Sequence, residues 1–359
     1  MNPLLQVKAQ GQQVWLDNLS RTLLNDGHLA RMIADDGVTG ITTNPAIFQK
    51  AIADGRYYED DLAALRREAL DAETRYERLA IADVQRACDL LMPVWDGAQG
   101  NAGYVSLEVS PALAHDASGT IAAGERLARA VDRPNLLIKV PATVAGFDAI
   151  EGLVARGISV NVTLMFSLAH VDAVAAAYAR GVRTLIAGGG DVRRVMSVAS
   201  LFLSRVDTLI DQRLETIGSD AALALRGMTA VSLAKLSYQH YLDRFHGAAF
   251  ADAKAAGARP QYMLWASTST KNPAYQDLLY VEPLIGPETV NTLPDATLAA
   301  LRDHGRVQRS IDRDVEAASA HFESLAALGI DLTEAGETLQ REGLEQFDTA
   351  FAKLLKLTA

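Results

Sequence analysis

Eight short apolar runs recur along the 359 residues, each followed by a stretch that reads as helix. This alternation constrains the fold more than any other feature, because a strand–helix–strand rhythm builds a parallel sheet covered by helices. The runs are QQVWLD (12–17), GVTGITT (37–43), YVSLEV (104–109), LLIKV (136–140), SVNVTLMF (159–166), RVMSVA (194–199), PQYMLWA (260–266) and LYVEPLI (279–285). Pro283 makes the end of the eighth irregular. Helix is predicted over 19–35, with a break allowed at Asp26-Gly27, and over most of 46–97, where glycine and proline are sparse. Further helices are expected over 118–131, over 145–156 with Thr143 as N-cap, and over 167–180. Residues 204–256 are longer than one crossover needs and read as two or three helices. In the helical tail, Leu344, Phe347, Phe351, Leu354 and Leu355 share one face, so the last helix is expected to pack back across the body of the protein.

The predicted fold class is therefore α/β: a single (β/α)8 (TIM) barrel with additional N-terminal, inserted and C-terminal helices. It would form one domain over 1–359, with the insertion at about 204–256 and the C-terminal helices at about 295–357. An open doubly wound sheet is the alternative. That fold usually carries a glycine-rich turn after its first strand, whereas here the turn reads Asp17-Asn18-Leu19-Ser20.

Composition narrows the partners. A chain 49 % hydrophobic and 22 % charged suits a globular protein with a sizeable core. The net charge of −10 argues against nucleic acid as main partner, while leaving room for a local basic pocket. Cys88 is the single cysteine, so no disulfide framework or thiolate metal cluster is expected, and a reducing compartment fits. The start, MNPLLQVKAQGQQ, lacks the basic and apolar regions of a signal peptide. No apolar run reaches the roughly 18 residues of a membrane span. A cytoplasmic location without membrane partners is the expectation. The seven histidines are scattered and form no HExxH-like pair, so no metal site is expected. His170 reads as a helix-surface residue.

The stretch RPNLLIKVPAT (133–143) is the one the rest of the chain is organised around. Two prolines bracket a short strand, and Lys139 shares a face with Leu137 near its C-terminal end. Such a lysine either reaches solvent or a carboxylate, or serves as an amine nucleophile for a carbonyl. The second role needs a sheltered site that disfavours the ammonium charge. In a barrel, catalytic groups come from the C-terminal ends of several strands. Asp17 ends the first strand and Thr42-Thr43-Asn44 the second. Ser106 and Glu108 share one face of the third, Asn161 and Thr163 one face of the fifth, and the sixth leads to Ser200. Any one of these has an ordinary structural explanation as cap, turn former or satisfied buried group. Six strand ends presenting polar groups of mixed type point to one pocket.

These motifs resemble the transaldolase family over nearly the whole chain. The matching stretches are LDNLSR (16–21), GITTNPAIF (40–48), SLEVSP (106–111), LLIKVPAT (136–143), NVTLMFS (161–167) and SVASLFLSR (197–205). The stretch 265–294 looks like the longer bacterial branch. The resemblance implies a class I, Schiff-base enzyme of the pentose phosphate pathway acting on sugar phosphates, with no metal and no organic cofactor. It implies that Lys139 forms the imine, that Glu108 and Thr163 hold a proton-shuttling water, and that Asp17 is the base at the C4 hydroxyl. Asn44 and Asn161 would bind hydroxyls, and Ser200 and Arg205 the phosphate. Better-known members carry a phosphate-binding arginine after strand 7. Here that stretch reads STSTK (267–271), and Lys271 is the remaining cation. Phe202, two residues after Ser200, matches the transferases rather than the shorter aldolases of the family, which tend to have tyrosine there. A related lyase and a non-catalytic sugar-phosphate-binding barrel are the rival readings. Monomer and homodimer both stay open, since the terminal helix could cover the barrel or a partner.

Overall fold

The computed structural model describes residues 2–359. Among these residues, eight parallel strands close into a barrel in chain order, the last pairing with the first. Helix α1 (Pro3–Ala9) packs on β1 (Gln12–Leu16). Then come α2 (Arg21–Asn25) and α3 (His28–Asp36), parted at Gly27, whose φ of +71° suits glycine. Strand β2 (Gly40–Ile41) leads to α4 (Pro45–Ala53), α5 (Glu59–Leu65) and α6 (Ala72–Gly97). The next units are β3 (Tyr104–Glu108) with α7 (Ala117–Val131), β4 (Leu136–Pro141) with α8 (Val144–Ala155), and β5 (Val160–Met165) with α9 (Leu168–Ala187). Strand β6 (Ser197–Phe202) precedes α10 (Ser204–Ile217), α11 (Asp220–Leu223), α12 (Thr229–His246) and α13 (Ala251–Ala255). Strands β7 (Tyr262–Ala266) and β8 (Thr289–Leu293) complete the barrel, followed by α14 (Asp295–His304), α15 (Val315–Ala327) and α16 (Leu332–Thr358).

The eighth strand is not where the sequence pattern placed it. Residues 279–285 form loop and a 3-10 turn at Glu282–Leu284, and the strand is Thr289–Leu293. Pro283 has no N–H for a ladder, while Thr289-Val290-Asn291-Thr292-Leu293 pairs with β1 residue for residue from Gln12 to Leu16. The apolar run instead packs beside the barrel, where the Leu284 carbonyl accepts from Gln12 Nε2 (2.7 Å) and Trp265 Nε1 (3.2 Å). The sixth strand also starts later than expected, because Val192–Arg194 coil into a 3-10 turn. Ser200 is thus inside β6 rather than beyond it. The second strand shortens to two residues, since α3 runs to Asp36 and Gly37 caps it at φ +68°. Gly40 is required in β2, for a Cβ there would sit 2.5 Å from the Trp15 ring. The expected insertion of two or three helices holds four, two of them short.

Strand ends pass into helices through side-chain caps. Ser20, Asn44, Thr143 and Ser167 each accept from the backbone N–H three residues on, which fixes the loop after β1, β2, β4 and β5. A buried brace ties the first of these loops to α6. The Arg21 guanidinium pairs with Asp83 (2.8 Å) and Asp61 (2.6 Å), and Tyr58 donates to the other Asp83 oxygen (2.7 Å). A second brace holds the inserted helices. Asp207 accepts from Ala230 N and Tyr280 Oη, and Asp211 from Gly227 N and Tyr275 Oη. Burial pushes the Asp207 carboxyl up to about 6, against those hydrogen bonds. Helix α16 crosses the barrel mouth, where Gln340 donates to the carbonyls of Ala142 and Leu164 at the ends of β4 and β5.

Candidate active site

Strand register puts the chemistry side by side. Glu108 pairs with Lys139 across β3 and β4, and Lys139 with Asn161 across β4 and β5. Because side chains alternate in a strand, these three face the same side, into the barrel mouth. Lys139 is 5 % exposed. Its ammonium donates to the Thr43 carbonyl (2.9 Å) and lies 3.4 Å from Glu108 Oε2. Of the residues singled out in the sequence, Asp17, Asn44, Lys139, Thr163, Ser200, Phe202 and Arg205 line one cavity of about 210 Å³.

Glu108 and Asn161 stand just behind that lining. Burial pushes the Glu108 carboxyl up to about 7, while the nearby Lys139 charge opposes the shift. At neutral pH it is therefore populated both as acid and as base. Asn161 is held by two serines: its Nδ2 donates to Ser106 Oγ (2.9 Å), and Ser200 Oγ donates to its Oδ1 (2.7 Å). Asn44 spends its side-chain oxygen on the Ile47 N–H (3.0 Å), which leaves its NH2 group for the cavity it lines.

Burial also raises the Asp17 carboxyl, opposed chiefly by the Lys139 charge and then by a hydrogen bond from Thr42. Thr42 Oγ1 donates to Asp17 Oδ1 at 2.8 Å and lies 2.6 Å from Thr292 Oγ1. A hydroxyl has one hydrogen, and Thr42 commits it to Asp17. Thr292 must then donate to Thr42, so a two-threonine relay from β8 and the residue just after β2 orients the carboxylate. Asp295 and Lys271 act on Asp17 with opposite signs from the rim.

In the cavity lining, two buried groups have no hydrogen-bond partner among the described residues: the Thr163 hydroxyl and Arg205 Nη1. Both residues line the cavity, and unpaired buried donors suit oxygen-rich ligands. Phe202 sits under the Arg205 guanidinium, 5.4 Å from its carbon. Lys271 takes no part in the lining; it is exposed and donates to Ser269 Oγ (2.7 Å).

Sequence reading missed Thr292, because the segment carrying it was not assigned to a strand. It also gave no role to Gln346 and Phe347 of α16, which line the same cavity. The 3–4 spacing of apolar residues in α16 marked a buried face without saying what it would cover. His170, expected on a helix surface, is buried, with Nδ1 accepting from the Phe166 N–H (3.1 Å). No cluster of three or more acidic, histidine or cysteine side chains able to hold a metal occurs among the described residues. No helix of these residues is long and apolar enough to cross a membrane.

A parallel (β/α)8 barrel with a buried amine between two carboxylates at its C-terminal mouth has the layout of an enzyme that can work through a lysine imine. The family described as Transaldolase/Fructose-6-phosphate aldolase matches residues 14–358, and the chain belongs to it. The chain is 57 % identical over 355 residues to a transaldolase of Thiobacillus denitrificans, covering 99 % of each. It is 50 % identical to a transaldolase of Neisseria gonorrhoeae over the same shares, and 46 % identical to one of Mycolicibacterium smegmatis, covering 99 % of this chain and 97 % of the relative.

Proposed function

We propose that this chain is a transaldolase of the cytoplasmic, non-oxidative pentose phosphate pathway. It moves a dihydroxyacetone unit from sedoheptulose 7-phosphate to glyceraldehyde 3-phosphate, giving erythrose 4-phosphate and fructose 6-phosphate. The observation that carries this reading is the placement of Lys139 beside Glu108 and with Asp17 in one cavity that Arg205, with its unpaired nitrogen, also lines. The Lys139 amine attacks the ketose carbonyl. Glu108 and the Thr163 hydroxyl manage the proton that leaves nitrogen and the one that turns the carbinolamine oxygen into departing water. Asp17 then takes the C4 hydroxyl proton, the C3–C4 bond breaks, and its electrons run to the iminium nitrogen. The aldose phosphate leaves and an enamine stays on Lys139. An incoming aldose is attacked by the enamine carbon, Asp17 returns the proton to the new hydroxyl, and hydrolysis frees the ketose. Asn44 and Asn161 hydrogen-bond the three-carbon unit. Arg205 and Ser200 grip the phosphate, with Lys271 available at the rim.

Borohydride trapping tests the reading. After incubation with fructose 6-phosphate, reduction and digestion, mass spectrometry should find a three-carbon adduct on Lys139. Erythrose 4-phosphate added before the reduction should discharge the adduct as sedoheptulose 7-phosphate. No adduct on a folded chain would move the reading to a non-catalytic barrel.

Two substitutions separate the carboxylates. Glu108→Gln is expected to slow imine formation by about a hundredfold with little change in substrate Kd, in stopped-flow and binding measurements. Weakened binding with normal imine formation would contradict the role. Thr42→Val removes a hydrogen bond that favours the charged form of Asp17, so the Asp17 carboxyl rises further and stays protonated at higher pH. The acidic limb of the kcat profile should move to higher pH, with kcat at mildly acidic pH down about tenfold. Thr42→Ser should restore the profile.

A further inference from the structure

We infer that Phe347, carried across the barrel mouth by α16, is a specificity-determining residue that commits the lysine-bound three-carbon unit to a sugar acceptor rather than to water. The inference rests on the transaldolase reading.

The ring centroid of Phe347 lies 5.6 Å from Lys139 Nζ, and the residue forms part of the cavity lining with Gln346 and Ala350. A ring face at that range favours a cation, whether ammonium or iminium. It also places an apolar wall where water would approach the iminium carbon. The two cations of the cavity each have an aromatic neighbour: Phe347 for Lys139 and Phe202 for Arg205.

The helix that carries Phe347 is fastened on both sides of it. Upstream, Gln340 is tied to the ends of β4 and β5, and Gly343 lies so close to Leu164 that a Cβ would meet its side chain at 2.9 Å. Downstream, Phe351 packs edge-on against Tyr76 of α6, at 5.7 Å between centroids. At the chain end, Arg66 donates to the carbonyls of Leu357 and Ala359, Arg75 donates to that of Thr358, and Thr358 donates to Ala72. The ring is therefore held over the amine by contacts that span α16, not by its own packing alone.

Loss of the apolar wall opens a competing reaction. The enamine takes a proton at carbon and becomes an iminium again. Water adds to that carbon, a proton passes to nitrogen, and the C–N bond breaks to give dihydroxyacetone and free Lys139. The water consumed replaces the one lost when the imine formed, so the net reaction is cleavage of the ketose phosphate to dihydroxyacetone and an aldose phosphate.

The test compares wild type, Phe347→Ala and Phe347→Leu. Free dihydroxyacetone is measured from fructose 6-phosphate without acceptor, and transfer is measured with erythrose 4-phosphate added. Phe347→Ala should raise the release-to-transfer ratio about tenfold or more. Phe347→Leu keeps the apolar wall and loses the ring, so release should stay low while the trapped adduct yield falls. An unchanged ratio in both variants, with the Lys139 adduct still trapped, overturns the inference and leaves the transaldolase reading standing. If the alanine variant does not fold, high release from the leucine variant overturns it as well. Absence of an adduct in the wild type overturns the transaldolase reading first, and this inference with it.

Discussion

Lys139→Ala is expected to lower turnover by about 10⁴-fold or more, since no other lysine lines the cavity. The fold should survive. The truncated side chain opens into the existing cavity rather than into packed core, and Glu108, already pushed up to about 7 by burial, can take a proton once its cation is gone. Circular dichroism and thermal melting should overlay those of the wild type while coupled assays of aldose phosphate release show no activity. Borohydride trapping should yield no adduct. Substantial residual turnover would remove the imine from the mechanism and with it the assignments of Glu108 and Asp17.

Asp83→Ala is expected to produce the largest loss of stability, about 3–5 kcal/mol, by leaving a charge buried without its partner. Asp83 is 1 % exposed and receives both Arg21 Nε and the Tyr58 hydroxyl. Without it, the guanidinium keeps only Asp61, which is largely exposed, the Tyr57 carbonyl (2.8 Å) and the face of Tyr58. These contacts do not replace a carboxylate held in low dielectric. Equilibrium denaturation at neutral pH measures the effect. The double replacement Arg21→Met with Asp83→Leu should recover much of the loss, because an apolar pair of similar size carries no desolvation cost. Failure of the double variant to improve on Asp83→Ala would show that the brace acts through Tyr58 and α6 packing rather than through paired charge. Activity should fall together with stability in the single variant. Arg21 opens α2, only a short turn beyond Asp17, so loosening the brace loosens the loop that positions Asp17, the proposed base.

Much of this architecture is legible in one dimension because barrel strands carry a local signature. A run of apolar residues with a polar group on every second inward position marks both the strand and its functional face. That logic placed Glu108, Lys139, Asn161 and Thr163 on inward faces, and the ladder brings Glu108, Lys139 and Asn161 side by side. Helix caps are equally local, so Thr143 could be read as the start of α8. The logic failed at the eighth strand. The apolar run 279–285 outweighed the polar Thr289–Leu293, although Pro283 takes an N–H out of the former and the latter pairs with β1 residue for residue. Thr292 and its relay to Asp17 were lost with it.

By itself, then, the sequence set the strand–helix alternation and put Glu108 and Lys139 on one face near their strand ends, since both depend on a period of two and on residue type. Tertiary structure alone decided which distant groups meet them. Thr292 reaches Asp17 through Thr42 only because the barrel closes β8 onto β1. Phe347 faces Lys139 only because Gln340 and the pinned chain end hold α16 across the mouth. Neither contact leaves a local trace, because both are set by chain closure and packing between elements far apart in sequence.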